Sequence, residues 1–149
     1  MDIQINHHYY PKRTNDVPYD YIIKVLVVGD PCVGKSALIM RFVGLDYVND
    51  YFETVGVDFH SKAVSVEGIK VMCKVHDTAG QERYRALSGI YFRGGNGVLV
   101  VFDLACYKSF MRVGNWIERV KDEIGDVPIV LVGNKFDLNE RVVEDTEAE

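Results

Sequence analysis

The hydrophobic residues of this chain fall into short continuous runs instead of long ones. Three such runs, at residues 22–28, 98–102 and 129–132, are rich in β-branched side chains. Runs of this length and composition predict strands that are buried on both faces of a sheet. None of them approaches the roughly 20 apolar residues of a membrane span.

A different pattern marks two neighbouring segments, the second of which alternates along its length. Residues 57–66 and 69–76 each predict a strand, and Glu67-Gly68 between them is a turn signal. In the second segment one face is expected to carry the apolar side chains of Ile69, Val71, Cys73 and Val75. Two strands joined by a two-residue turn predict an antiparallel hairpin.

Helical spacing of apolar residues appears between Ser109 and Ile124, and we expect one helix there. The apolar residues of this helix form a stripe along one side, with Trp116 beside it. Such a stripe indicates core packing and not a cofactor site. Residues 37–43 predict another helix, and a short one is expected within 77–97. The stripe consists of Phe110, Val113, Ile117, Val120 and Ile124.

Strands that alternate with helices predict an α/β protein of three layers, α/β/α, with a mostly parallel sheet of about five strands. The hairpin adds one antiparallel edge strand. Ligands of such sheets bind at the carboxyl ends of the strands. We expect a flexible arm over residues 1–19, one domain over 20–138 and an acidic tail over 139–149.

Composition supports a single domain and narrows the class of protein. The chain has 149 residues, of which 48% are hydrophobic, and its net charge of −5 argues against general nucleic-acid binding. Cys32, Cys73 and Cys106 lack metal-ligand spacing, so we expect thiols without disulfides, as in a reducing compartment. A signal peptide, an N-myristoylation site and a prenylation box are not indicated, so no membrane anchor is expected in this chain.

The first candidate site follows the first predicted strand directly. Residues 29–36, Gly-Asp-Pro-Cys-Val-Gly-Lys-Ser, match the phosphate-loop pattern G-x-x-x-x-G-K-[ST], and a predicted helix follows. Glycines let the backbone approach phosphate oxygens, and successive amides with the helix N-terminus then face the anion. Lys35 is expected to place its charge on the outer phosphates, and the Ser36 hydroxyl to bind Mg²⁺.

Two further motifs stand at predicted strand ends. The first motif is Asp77-Thr78-Ala79-Gly80-Gln81, and its carboxylate is suited to bind Mg²⁺. The Gly80 amide is expected to reach a terminal phosphate, and Gln81 to orient an attacking water. In Asn134-Lys135-Phe136-Asp137, the carboxylate suits the two donors of guanine, a pair that adenine lacks. The phosphate loop and these motifs are predicted to converge on one edge of the sheet.

Together these motifs resemble those of the Ras superfamily of small GTPases, whose fold is that of P-loop NTPases. Within it, residues 55–59 (VGVDF), 81–85 (QERYR) and 91–95 (YFRGG) look like the Rab branch. Phe102-Asp103-Leu104, Ser109-Phe110 and Trp116 fit as well, and the resemblance runs from about Tyr19 to about Leu138.

The resemblance implies a switch that binds GTP or GDP with Mg²⁺ and hydrolyses GTP in vesicle trafficking. Thr54 is implied as a Mg²⁺ ligand, Tyr47 as a stack on guanine and Tyr51 as a lid over the phosphates. Gln81 and Lys35 are the implied catalytic residues, and Ser36, Thr54 and Asp77 the metal ligands. The implied nucleotide-binding residues are Asp30, Cys32, Val33, Gly34, Lys35, Ser36, Ala37, Tyr47, Tyr51, Thr54, Gly80, Asn134, Lys135 and Asp137.

Implied partners are exchange factors, GTPase-activating proteins and effectors at two switch loops, in the cytoplasm. Association with endomembranes would need a C-terminal lipid anchor, which is expected to be absent here. Pro31 stands where Rab proteins usually carry serine, and the resemblance therefore leaves the rate of GTP hydrolysis undecided. His76 stands where they usually carry tryptophan, which leaves the choice of effector undecided.

Only twelve residues follow Asp137, so a truncated family member is expected, with the strand at 129–132 left at a bare edge. Two alternatives stay open. One is a truncated or pseudo-GTPase that acts only as a binding module without useful turnover. The other is a P-loop ATPase or kinase, against which residues 134–137 argue.

Overall fold

The structure is a computed structural model, and it describes residues 19–45, 57–78 and 88–143. Strands and helices alternate through most of this part of the chain, as the hydrophobic pattern predicted. In chain order the elements are β1 (Tyr21–Val28), α1 (Lys35–Val43), β2 (Val57–Val66), β3 (Ile69–Thr78), α2 (Ser88–Phe92), β4 (Gly97–Asp103), α3 (Tyr107–Met111), α4 (Val113–Ile124) and β5 (Ile129–Asn134).

The five strands form one sheet in the order β2-β3-β1-β4-β5. β1 pairs in parallel with both β3 and β4, and β4 pairs in parallel with β5. β2 is antiparallel to β3 and forms one edge. The predicted mostly parallel five-strand sheet with an antiparallel edge strand is confirmed.

The hairpin of β2 and β3 has the predicted two-residue turn. Glu67 and Gly68 both have positive φ, 50° and 84°, which suits the right-handed twist of the strands they join. Val71, Cys73 and Val75 are buried on one face of β3, as the alternation predicted. Ile69, beside the turn, is 42% exposed, because the core does not extend to this end of the strand.

Apolar residues are buried on both faces of the sheet. On one face, Val27, Cys73 and Val75 pack with Ile39 of α1. On the other, Leu26 and Phe102 belong to a second cluster with residues of α2 and α4; we call this the α4-side core. Neighbouring residues such as Leu26 and Val27 enter different cores because side chains alternate along a strand. The sheet is therefore the middle layer of three.

β3 and β5 extend beyond the segments that predicted them, to polar residues of the motifs. β3 continues through Asp77, which pairs with Val27 of β1, and β5 ends at Asn134, opposite Asp103 of β4. Backbone pairing requires no apolar side chain, whereas the strands were predicted from their apolar residues. The polar residues at the strand ends were therefore predicted as loop. Asp77 and Asn134 are consequently held by sheet hydrogen bonding and not placed in flexible connections.

The single helix predicted from Ser109 to Ile124 is wrong: α3 and α4 are separate helices that meet at Arg112. The apolar spacing continues across the break, because Phe110 and Val113 both pack into the α4-side core. Hydrophobic periodicity alone therefore gives no sign of the junction.

After β5 the chain turns back toward the end of β4. The backbone amides of Val142 and Val143 donate to the Leu104 carbonyl at 2.9 and 3.3 Å. The Val143 side chain is 0% exposed and belongs to the α4-side core. No helix in the three described ranges has both the length and the apolar character needed to cross a membrane.

Candidate functional site

The loop between β1 and α1 leaves no room for side chains at two glycines. Gly29 has φ of 143°, and a Cβ there would lie 2.1 Å from the Val101 carbonyl oxygen of β4. Gly34 has φ of 96°, and a Cβ there would lie 2.2 Å from Nδ2 of Asn134. Both positions combine a backbone conformation that favours glycine with close contact to a neighbouring strand. The loop is therefore seated directly on the ends of β4 and β5.

The helix that follows begins with the lysine of the motif. Gly34, in the left-handed conformation, is the N-cap of α1 and offers no side chain to the amides of the first turn. The Lys35 side chain lies back along the loop, where Nζ donates to the carbonyls of Gly29 at 2.8 Å and Asp30 at 2.7 Å. Lys35 is only 5% exposed, so these carbonyls help compensate its buried charge.

The structure brings Ser36 and Asp77 into contact. The Ser36 hydroxyl donates to Oδ2 of Asp77 at 2.5 Å. Asp77 is 3% exposed and is fixed in β3, next to the strand that leads into the loop. Two oxygen-bearing side chains, one hydroxyl and one carboxylate, thus meet at the start of α1.

The motif after β5 is joined to the loop through its first residue. Nδ2 of Asn134 donates to the Val33 carbonyl at 2.8 Å. Lys135 has φ of 63°, and its Nζ pairs with Oδ2 of Asp103 at 2.6 Å. Asp137 is exposed in a turn closed by the Leu138 amide and the Lys135 carbonyl at 3.1 Å. Asn134 contacts the phosphate loop, whereas Lys135 is directed to the end of β4.

The other predicted loop residues lie as follows. Val33 is buried in the core beneath α1, at 2% exposed. Pro31 and Cys32 are exposed, and Cys32 has φ of 63°. Ala37 is half-buried in the first turn of α1. Five predicted site residues fall outside the described residues: Tyr47, Tyr51, Thr54, Gly80 and Gln81.

Three residues at the site were not predicted to act there. Asp103 pairs with Lys135, while Arg112 and Trp116 both donate to the Asp30 carboxylate. The position of Asp103 at the end of an apolar run was a usable signal, since strand ends line the ligand edge. No local pattern connects Trp116 with a residue 86 positions away.

His76 lies on β3 one residue before Asp77, but it belongs to a different surface. Its ring stacks on Phe59, with centroids 6.1 Å apart, and Phe59 is 64% exposed. Burial, followed by the nearby charges of Lys24 and Lys74, lowers the pKa of His76. The Phe59–His76 pair, in which Phe59 is exposed and His76 half-buried, is therefore a partly apolar feature of the sheet surface.

The loop, the buried lysine and the serine–aspartate contact form a phosphate-loop site in an α/β/α fold. Residues 24–149 match the family model described as Ras family. The chain belongs to the Ras family. This membership confirms the family resemblance and accounts for the order in which the motifs occur along the sheet.

The relatives place the chain near one branch of the Ras family. It is 43% identical to "GTP-binding protein YPTM1" of Zea mays over 129 residues, 86% of this chain and 62% of the maize protein. It is 37% identical to "Ras-related protein Rab-8B" of Dictyostelium discoideum over 137 residues, 91% and 68% of the two chains. It is 44% identical to "GTP-binding protein YPT1" of Saccharomyces cerevisiae over 128 residues, 85% and 62%.

These similarities make the chain a Rab-like member of the Ras family. The chain spans 62% of the length of both the maize and the yeast relative.

Proposed function

We propose that this chain binds GTP and GDP with Mg²⁺ and hydrolyses GTP as a Rab-like switch. The observation that carries the proposal is the 2.8 Å hydrogen bond from Asn134 to the Val33 carbonyl. It ties the motif suited to guanine to the loop suited to phosphate. A nucleotide that spans the two has its base and its phosphates recognised at one edge of the sheet.

Phosphate binding rests on the loop and on Lys35. The N-terminus of α1 carries partial positive charge, and the loop glycines allow close approach of an anion. The Lys35 ammonium is already positioned over the loop by the Gly29 and Asp30 carbonyls. We propose that it exchanges part of these contacts for the outer phosphates, whose charge grows during phosphoryl transfer.

The described residues fit Mg²⁺. Mg²⁺ prefers oxygen ligands and is commonly bound by one or two protein groups together with phosphates and water. Ser36 and Asp77 supply a hydroxyl and a carboxylate in direct contact, and we propose Thr54 as a further ligand. Bound there, Mg²⁺ would neutralise charge on the phosphates.

Base selection is assigned to residues 134–137. The Asp137 carboxylate suits the N1–H and amino donors of guanine, and its exposed position in the turn leaves it accessible to a ligand. Asn134 holds this segment to the loop. The Lys135 ammonium, paired with Asp103 at 2.6 Å, fixes where the turn leaves the sheet.

For hydrolysis we propose that Gln81 orients the attacking water. No arginine finger is proposed in this chain, so fast turnover requires a GTPase-activating protein that supplies one. Thr54, Tyr47, Tyr51 and Gly80 are proposed to contact nucleotide from the switch loops. Exchange factors and effectors are the further proposed partners, in vesicle trafficking at the cytosolic face of endomembranes.

The test compares nucleotides on the purified chain. We expect GDP and GTP to bind in the presence of Mg²⁺, ATP at equal concentration not to compete, and GTP to be hydrolysed slowly in single-turnover assays. Lys35→Ala should lose retention of GDP, whereas Lys121→Ala, on the exposed surface of α4, should keep it. Competition by ATP would contradict the guanine assignment.

One alternative is distinguished in the same assay. A binding module without useful turnover would retain GTP unchanged over many hours. Pro31 is an exposed loop residue without an N–H, at a position where Rab proteins usually carry serine. It is the residue of this chain to which a loss of GTP hydrolysis would be assigned. Replacement of Pro31 by Ser should then restore hydrolysis if the proline is the cause.

A further inference from the structure

The second residue of the phosphate loop is held from outside the loop. Both carboxylate oxygens of Asp30 accept hydrogen bonds from the α3–α4 region. Oδ2 accepts from Nη1 of Arg112 at 2.9 Å, and Oδ1 accepts from Nε1 of Trp116 at 3.1 Å. The Asp30 side chain is 13% exposed and that of Arg112 46%. The backbone carbonyl of Asp30 meanwhile accepts from Lys35.

We propose that Asp30 is a positioning residue for nucleotide retention, through the contact of its carboxylate with Arg112 and Trp116. This inference rests on the proposed function. The carboxylate is not assigned a contact with the nucleotide. It acts by fixing the Asp30 carbonyl, which with that of Gly29 sets the position of the Lys35 ammonium.

One of the two donors, Trp116, is itself supported by other contacts. Arg112 lies at the junction of α3 and α4, and Trp116 follows four residues later on the same helical face. The Trp116 ring packs against the α4-side core. The Arg119 guanidinium lies 5.6 Å from the centroid of the Trp116 ring and 5.7 Å from that of the Phe92 ring. The indole N–H is therefore presented to the loop by a rigid support.

The backbone conformation of the loop explains why the contact of Asp30 with Arg112 and Trp116 matters for the shape of the loop. Gly29, Cys32 and Gly34 all have positive φ, 143°, 63° and 96°. Glycine adopts positive φ readily, but a residue such as Cys32 keeps this conformation only where its surroundings hold it. Asn134 holds the second half of the loop at the Val33 carbonyl. The Asp30 carboxylate holds the first half, so its loss should let the Lys35 ammonium shift from the phosphates.

An exposed ion pair alone would contribute little, and Arg112 is the more exposed partner. The indole hydrogen bond is part-buried and made to a charged acceptor, the class of hydrogen bond that matters more. The proposal therefore assigns more of the effect to Trp116 than to Arg112.

The experiment measures the rate of GDP dissociation in Mg²⁺ from the parent chain and from Asp30→Ala, Asp30→Asn, Trp116→Phe and the double variant Asp30→Ala/Trp116→Phe. We expect Asp30→Ala to dissociate GDP about tenfold faster and Trp116→Phe about threefold faster. The double variant should be no faster than Asp30→Ala, because Asp30→Ala already removes the contact that Trp116→Phe removes. Asp122→Asn, a charge-removing change on the exposed surface of α4, is the matched control and should match the parent.

Trp116 supplies a second readout, since it is the sole tryptophan of the chain. Its fluorescence emission should shift in Asp30→Ala and Asp30→Asn but not in Asp122→Asn. A general loss of stability would not reproduce this pattern together with non-additive dissociation rates. Asp30→Asn keeps the size of the side chain, so it remains informative if Asp30→Ala folds poorly.

The outcomes separate the two proposals. If the parent chain retains no guanine nucleotide, the proposed function is wrong and this inference falls with it. If the parent retains GDP and the Asp30 and Trp116 variants retain it as long, only the inference is overturned. Multiplied rates in the double variant would also overturn it, because they would show that Asp30 and Trp116 act separately.

Discussion

Charged side chains at the site are buried only where polar neighbours compensate them. Lys35 is 5% exposed and contacts two loop carbonyls, and Asp77 is 3% exposed and contacts the Ser36 hydroxyl. Burying an uncompensated charge is costly. The burial of Lys35 and Asp77 therefore depends on the loop backbone and the Ser36 hydroxyl being in place. The sequence predicted that the phosphate loop and Asp77 would lie at one edge of the sheet, because the ends of parallel strands meet there. It gave no indication of the carbonyl contacts of Lys35.

The first prediction at this scale concerns base selection. Asp137→Asn should reverse the preference between GTP and XTP by at least about tenfold, because xanthine carries a carbonyl where guanine carries an amino group. Competition of XTP against GTP on the variant is the measurement. Asp126→Asn, at another exposed loop position, is the control. An unchanged preference would remove Asp137 from the guanine site.

The three cysteines give a second prediction. Cys73 is 7% exposed in β3, and burial raises the pKa of its thiol. Cys32 and Cys106 are exposed. We expect iodoacetamide to modify both exposed cysteines at least about tenfold faster than Cys73, because the thiolate is the reacting form. Mass spectrometry of timed samples is the measurement, with urea-unfolded protein as control. Equal rates in folded protein would contradict the placement of Cys73 in the core.

At the scale of elements, strand identity was predictable and junctions were not. The apolar runs predicted the strands β1, β4 and β5, but the predicted burial holds only for β4 and the second half of β1. Ile22 of β1 is 57% exposed and Val130 of β5 is 55% exposed, and β5 lies at an edge of the sheet. The hairpin was predictable because a two-residue turn separates two segments that each predict a strand. The break at Arg112 was not, since Phe110 and Val113 keep helical spacing across it. The bond from Trp116 to Asp30 depends on packing between distant elements, which local sequence does not encode.

The seating of the phosphate loop on β4 gives a prediction about elements. Gly29→Ala should lower the free energy of unfolding by about 1–3 kcal/mol, because the added Cβ would lie 2.1 Å from the Val101 carbonyl oxygen. Gly114→Ala is the matched control. A Cβ there meets no described atom within 4 Å, and alanine in a helix is favoured over glycine by about 0.8–1.0 kcal/mol.

Denaturant unfolding of both variants is the measurement, and the two changes should have opposite signs. A Gly29→Ala variant as stable as the parent would show that the loop moves away from β4 at little cost. Nucleotide should be left out of the comparison, since bound ligand adds its own stabilisation to any variant that retains it.

At the scale of the whole molecule, the α4-side core draws on distant parts of the chain. It combines residues of β1, β4, α2 and α4 with Val143, which follows β5 and is 0% exposed. The sequence offered no signal for this burial. Val142 and Val143 stand among charged residues without helical or strand periodicity, so the segment was interpreted as part of an acidic tail. The hydrogen bonds of its amides to the Leu104 carbonyl anchor it where β4 ends.

The last prediction tests this contribution with two adjacent residues. Val143→Ala should lower the free energy of unfolding by about 2–3 kcal/mol, because it removes buried methyl groups and leaves a cavity in the α4-side core. Val142→Ala makes the same change at a side chain that is 49% exposed, and it should stay within about 0.5 kcal/mol of the parent. Both are measured by denaturant unfolding without nucleotide. Equal, small effects would mean that residues 141–143 detach from the core in solution, and that Leu104 and Phe102 then carry this end of the core alone.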